Sequence, residues 1–194
     1  MVSERMKGLG TARSVIRELF EYGKLRAAEI GAENVFDFSI GNPSVPSPAA
    51  VNETAVRLLR EQPDLIHAYT SAQGAADARE RFADSLNRRF DARCTPDRLY
   101  LTVGAAASLC CVFNGLTCPG DEFVVFAPYF PEYKVFIEGA GAKMVLIPPE
   151  IEGFQIDFDA FEKAVTEHTK GVLVNSPNNP SGVVYSRATL ERLA

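Results

Sequence analysis

The residues Leu101–Tyr133, LTVGAAASLCCVFNGLTCPGDEFVVFAPYFPEY, decide the fold. Leu99–Val103 (LYLTV) is a short apolar run with β-branched residues, ended by Gly104, and is predicted to be a buried strand. Gly104 permits a sharp turn that a residue with a Cβ resists. Ala105–Ala107 then open an apolar, small-residue helix predicted to reach about Leu116. A strand, a glycine turn and a helix N-terminus make an anion site: the first helical N–H groups lack an intrahelical partner, and the helix dipole adds partial positive charge. Cys118–Asp121 (CPGD) is a turn, and Glu122–Phe126 (EFVVF) is the next buried strand. It delivers a proline-stiffened loop, Ala127–Tyr133, that carries Tyr129, Phe130 and Tyr133. A phosphate cradle followed by an aromatic platform points to a flat, phosphorylated ligand.

Outward from this stretch the chain alternates helix and strand. Thr11–Ile30 has helical spacing of Val15, Ile16, Leu19 and Phe20, with Gly23 as a weak point. Asn34–Ile40 is an extended run, and the proline-rich loop Gly41–Pro48 marks the main organisational boundary. Pro48 suits the first position of a helix, with Val51, Ala55, Leu58 and Leu59 on its buried side. Gln62–Gly74 is polar and loop-like, and Ala75–Phe90 is an amphipathic helix. After the central stretch come a helix over Glu132–Gly139, a strand at Lys143–Ile147 and a helix capped by Asp159 with Glu162. A strand at Gly171–Asn175, the loop Ser176–Gly182 and a last helix capped by Ser186 complete the order. This alternation predicts an α/β fold: a mostly parallel sheet, helices on both faces, right-handed crossovers. Ligands of such sheets bind at the carboxyl ends of the strands, where Gly104, Tyr129–Phe130 and Asn178–Asn179 all fall.

Composition is that of a globular protein of 194 residues with a net charge of −5, and basic residues are interspersed with acidic ones. Neither nucleic acid nor an anionic membrane is the expected partner. Cys94, Cys110, Cys111 and Cys118 form no C-x-x-C pair, and with only His67 and His168 to join them a metal site is not expected. Cys110 and Cys111 read as buried small hydrophobes, and reduced thiols fit a cytoplasmic location. The first residues lack the apolar core of a signal peptide, and no stretch is long enough to span a bilayer.

The ordered set Gly41–Pro43 (GNP), Tyr69–Gly74 (YTSAQG), Val103–Ala105 (VGA), Pro119–Glu122 (PGDE), Pro128–Tyr133 (PYFPEY) and Asn175–Gly182 (NSPNNPSG) resembles the class I/II aminotransferases. These are pyridoxal-phosphate (PLP) enzymes with the aspartate aminotransferase fold. The resemblance runs from about Phe36 onward. It implies that residues 1–47 are an N-terminal arm with part of a small domain, and that residues 48–194 are the N-terminal half of the large, PLP-binding domain. It further implies that the turn of Gly104, Ala105 and Ala106, with Ser108 helping, holds the cofactor phosphate. Many relatives have a hydroxyl or amide side chain where this loop has alanines, which leaves backbone N–H groups to carry the site. Phe130, or Tyr129 if the loop is shifted by one, stacks on the pyridine ring, and Asn179 donates to its phenolic oxygen. Tyr69 either packs at an interface or reaches the phosphate held by a neighbouring subunit of a homodimer. The Gly41 backbone either borders the substrate carboxylate or is a structural elbow.

The family also needs a Schiff-base lysine, an acidic partner for the pyridine nitrogen and an arginine for the substrate carboxylate. All three follow the NNPSG segment in the family. Lys7, Lys24, Lys134, Lys143, Lys163 and Lys170 do not stand in the lysine's context. The resemblance therefore implies the N-terminal half of an aminotransferase, inactive alone, with amino-acid and 2-oxo-acid substrates for the complete enzyme. Two alternatives are a PLP-fold carbon–sulfur lyase and a non-catalytic module that binds a phosphorylated ligand. A dinucleotide-binding fold is disfavoured, since no G-x-G-x-x-G follows Leu99–Val103.

Overall fold

The computed structural model describes residues 2–11, 15–41, 43 and 45–194. They divide into two compact units: Gly10–Leu101 is one, and Thr102–Ala194 with residues 2–9 is the other. The first helix, α1, spans Glu4–Thr11, a segment whose sequence carried no helix expectation.

In the Gly10–Leu101 unit, α2 (Val15–Ile30) passes through Gly23 without a break; Ala12–Ser14, at the start of the helix expected from Thr11, lie outside the described residues. α3 covers Ala49–Glu61, with Pro48 as the residue before the first helical position rather than in it. A short helix, α4 (Pro63–Ile66), occupies part of the stretch expected to be loop. α5 (Ala76–Phe90) is fastened to the segment after it by side-chain bonds to backbone. Asn87 brackets Cys94, donating to its carbonyl at 2.9 Å and accepting from its N–H at 2.7 Å, and Arg79 Nη1 donates to Pro96 O at 2.8 Å. Asn42 and Ser44 of the proline-rich loop lie outside the described residues.

Leu99–Val103 is not a strand. Leu99 has extended dihedrals, and Leu101 N donates to Gln73 O at 3.0 Å, but no ladder follows. β-branched and apolar residues favour extended backbone, and a strand also needs a neighbour to pair with. The approach to Gln73–Gly74 is close. Gly74 has φ +97°, and a Cβ there would stand 2.8 Å from the Leu101 side chain.

In the second unit α6 (Gly104–Leu116) leads to β1 (Glu122–Phe126), then α7 (Glu132–Gly139), β2 (Lys143–Ile147), α8 (Phe158–Ala164), β3 (Thr169–Leu173) and α9 (Arg187–Leu193). The sheet is parallel with order β2-β1-β3. β1 lies in the middle and all five of its residues are buried, as its unbroken apolar run requires. Phe123 and Val125 face Phe113 of α6 and Ile137 of α7. Val124 and Phe126 face the other way, toward Ile147, Tyr185 and the apolar sides of α8 and α9. Helices therefore cover both faces of the sheet. β3 begins two residues before the expected Gly171, because its register to β1 starts at Glu122↔Thr169 and slips between Glu122 and Phe123.

Side chains cap the starts of α8 and α9. Asp157, not Asp159, caps α8 by accepting from Ala160 N at 2.9 Å, and Ser186 caps α9 as its position suggests. Cys110 is half-buried, but Cys111 is exposed: adjacent residues on a helix point about 100° apart, so only one of them faces the core. At the N-terminal edge of the sheet the buried Glu122 carboxylate accepts from Lys143 Nζ at 2.7 Å and from Thr166 Oγ1 at 2.9 Å. One side chain thereby joins the beginnings of β1 and β2 to the segment that enters β3.

Candidate functional site

Parallel strands end on the same edge, so the loops after β1 and β3 leave side by side. The loop after β1 carries Tyr129 and Phe130; the loop after β3 carries Asn178 and Asn179. α6 is joined to β1 by the short link Thr117–Asp121 and runs antiparallel to it. Phe113, late in α6, meets Phe123 at the start of β1 with ring centroids 4.8 Å apart, and Leu109, earlier in the helix, packs in the same cluster as Tyr129. A helix of this length spans about 20 Å and the strand about 17 Å. The N-terminus of α6 therefore reaches the edge from which the two loops emerge.

At that N-terminus the donors can be counted. Gly104 takes φ +82°, the left-handed region open to glycine, and its N–H is spent on Thr102 O at 2.9 Å. The first N–H groups of a helix have no acceptor one turn back. Ala105 and Ala106, the next two residues, have N–H groups with no acceptor among the described residues. The preceding residue, Val103, offers no side-chain cap. Gly104, Ala105 and Ala106 are exposed, and nothing stands within 4 Å of where a Gly104 Cβ would be. The two free N–H groups and the helix dipole form a small electropositive opening. None of the segments Gly104–Ser108, Ala127–Pro131 and Val174–Gly182 contains a lysine, arginine or histidine, so what these segments bring to the opening is backbone charge.

The Ser108 hydroxyl is not aimed at that opening. It shares a hydrogen bond with Thr102 Oγ1, which donates in turn to Gly104 O at 3.1 Å. Phe130 is half-buried, its ring meeting Tyr133 edge-on at 5.6 Å, and burial pushes the Tyr133 phenol above its ordinary pKa, which keeps it protonated. The two asparagines are used differently. Asn178 is buried, and its Oδ1 accepts from Ser181 N at 3.1 Å and Ser181 Oγ at 2.9 Å, which folds the loop on itself. Asn179 is exposed, and its side chain makes no hydrogen bond among the described residues.

The structure thus brings Gly104, Ala105, Ala106, Phe130 and Asn179 to one sheet edge. Tyr69 and Gly41 belong to the other unit, where both are exposed. Sequence reasoning passed over Thr102 and the internal role of Asn178. The Asn178/Ser181 spacing is a legible turn signal, whereas Thr102 and Ser108 meet across a strand-to-helix corner that no local spacing announces.

Residues 33–194 match the family aminotransferase class I and II. The chain belongs to that family. It is 34% identical over its whole length to an aspartate aminotransferase of Thermotoga maritima, covering 50% of that protein. Among solved structures, an aminotransferase from Eubacterium rectale is 54% identical and superposes with a TM-score of 0.94, over 100% of this chain and 49% of the other. An aspartate aminotransferase of Thermus thermophilus, solved with maleate, is 30% identical, with a TM-score of 0.87 and the same coverages. The fold is that of the aspartate aminotransferases, and the chain spans about half the length of the curated relatives it matches.

Proposed function

We propose that this chain is the cofactor-holding half of a PLP-dependent aminotransferase, which moves an amino group from an amino acid to a 2-oxo acid. The observation that carries this reading is the pair of unpartnered N–H groups on Ala105 and Ala106, at the edge where the Phe130 and Asn179 loops emerge. The residues fit the group. A phosphate suits two backbone donors at an uncapped helix N-terminus. Phe130, its edge braced by Tyr133, offers a ring for stacking, and the free amide of Asn179 suits a phenolate oxygen. When bound, the cofactor supplies the electron sink for the chemistry at the amino acid's α-carbon.

The roles of the chain are binding and orientation. Ala105 and Ala106 hold the phosphate, Gly104 makes the turn that presents them, Phe130 fixes the ring plane and Asn179 fixes the ring's rotation. Tyr69 reaches the phosphate of the neighbouring subunit in a homodimer, and the Gly41 backbone borders the substrate carboxylate. Residues 1–47 serve as the arm and part of the small domain, residues 48–194 as half of the large domain, and the enzyme works in the cytoplasm. The lysine that carries the cofactor belongs to the half of the family's length not spanned here. Lys143 and Lys170 are unsuited to that role: they pair with Glu122 and Asp121 at the N-terminal edge of the sheet, a strand length of about 17 Å from the site.

The test is amino-group transfer by the full-length protein. PLP with an amino-acid donor and a 2-oxo-acid acceptor should give the new amino acid, and residues 1–194 alone should give none. Turnover by residues 1–194 alone would overturn the division of labour. A full-length protein that binds PLP no more tightly than pyridoxal would overturn the phosphate site.

A further inference from the structure

We infer that Thr102 and Ser108 are positioning residues, which set the direction of the Ala105 and Ala106 N–H groups without touching the ligand; this rests on reading the start of α6 as the phosphate site. The argument begins with what is missing. Helix starts are ordinarily fixed by a side-chain oxygen that accepts from the second or third N–H of the helix. Such a cap on α6 would occupy the Ala105 or the Ala106 donor. Val103, in the capping position, has no oxygen to offer, and no side chain caps the helix. An uncapped first turn frays, and frayed donors are poorly aimed.

Thr102 and Ser108 supply an anchor that leaves the donors free. Thr102 Oγ1 donates to Gly104 O, on the carbonyl side of the turn. Its one proton is then spent, so in the hydrogen bond it shares with Ser108 the serine is the donor. Ser108 lies one turn into α6, where the helix is regular. The chain of bonds Ser108–Thr102–Gly104 therefore ties the residue before the corner, the corner itself and the first full helical turn into one unit. Both hydroxyl protons are consumed within it, so neither remains to donate to an anion. That separates this role from direct phosphate binding. It also accounts for Ala105, Ala106 and Ala107: with the corner tied from behind, the front of the turn needs no polar side chain and stays open to an incoming group.

The experiment compares equilibrium binding of PLP and of pyridoxal, which lacks the phosphate, to the full-length protein and its variants. Thr102→Val and Ser108→Ala should each raise the dissociation constant for PLP about five- to tenfold, up to about 1.4 kcal/mol, and leave that for pyridoxal unchanged. Thr102→Ser, which keeps the hydroxyl, should restore the PLP value. Ser108→Ala removes one oxygen at a helical position and provides a folded variant if Thr102→Val unfolds. An unchanged PLP-to-pyridoxal ratio in both variants would overturn the positioning role and leave the phosphate site standing. Equal weakening of both ligands would also overturn it, since a general loosening of the fold does not discriminate by phosphate. A parent protein with no preference for PLP would overturn the phosphate site, and the positioning role with it.

Discussion

Asn178 and Asn179 are neighbours of the same type with opposite tasks, and substitution should separate them. Asn178→Ala removes a buried acceptor that serves both Ser181 N and Ser181 Oγ, and should cost about 1–3 kcal/mol of stability, read from denaturant unfolding of the full-length protein. Asn179→Ala should leave the melt unchanged and weaken PLP binding by an amount set by a hydrogen bond to a charged group, about 1.5–3 kcal/mol. Cofactor affinity unchanged in Asn179→Ala would reduce that residue to a turn former. Sequence could point to the pair, because two asparagines before a proline past a strand end are conspicuous. It could not say which is buried, since that depends on how Ser181 folds back. Glu122 makes a second residue-scale prediction. Its hydrogen bond from Lys143, then that from Thr166, holds its carboxyl below the ordinary value of 4.5. A group bound more firmly as the anion in the folded state stabilises the fold above its unfolded pKa, and that contribution is lost as pH falls through the lower, folded value. Acid unfolding of the parent should therefore steepen below about pH 4.5, and Glu122→Gln should be less stable near neutrality with a flatter acid limb.

Among the elements, the start of α6 sets stability against binding. Val103→Ser places a capping oxygen before the helix. It should raise stability by about 1 kcal/mol and weaken PLP binding, because the new oxygen competes for the Ala105 and Ala106 donors. A gain in both, measured by thermal melt and PLP titration, would mean those donors do not meet the phosphate. Phe113→Ala should cost about 3–5 kcal/mol, since the ring is buried against Phe123, and is expected to lower PLP affinity only through unfolding. Element boundaries were legible where one physical cause acted alone. β1, β2 and α7 fall at the residues the pattern indicates, because an apolar run bounded by turn residues decides each. Leu99–Val103 has the same local pattern without a ladder, and β3 is displaced by the slip in its pairing with β1. Pairing is a property of two segments, so neither outcome is written in one of them.

At the scale of the molecule, the accessible surface is 14520 Å² for 21.2 kDa. A compact monomer of that mass exposes about 9,100 Å², and two separate globules of half the mass about 10,900 Å². The excess is partly apolar: Leu19, Leu25, Phe36, Phe38, Leu65 and Tyr100 are all exposed. Among the described residues β2 and β3 each pair on one side only, which leaves two strand edges free to recruit another chain. Residues 1–194 expressed alone should bind an apolar dye, associate with concentration and exchange amides rapidly over Val183–Ala194. A monodisperse monomer with a cooperative melt and protected amides there would show that the exposed surface needs no cover.

The strand order has a consequence for synthesis. β1 is made first and ends in the centre; β2 then adds on one side and β3 on the other. β2 and β3 are each offered an edge that already exists when they leave the ribosome, and among the described strands neither has to be threaded between two that are paired. The sheet can thus grow outward in the order of translation, with a buried middle strand that stays uncovered only until its two neighbours arrive.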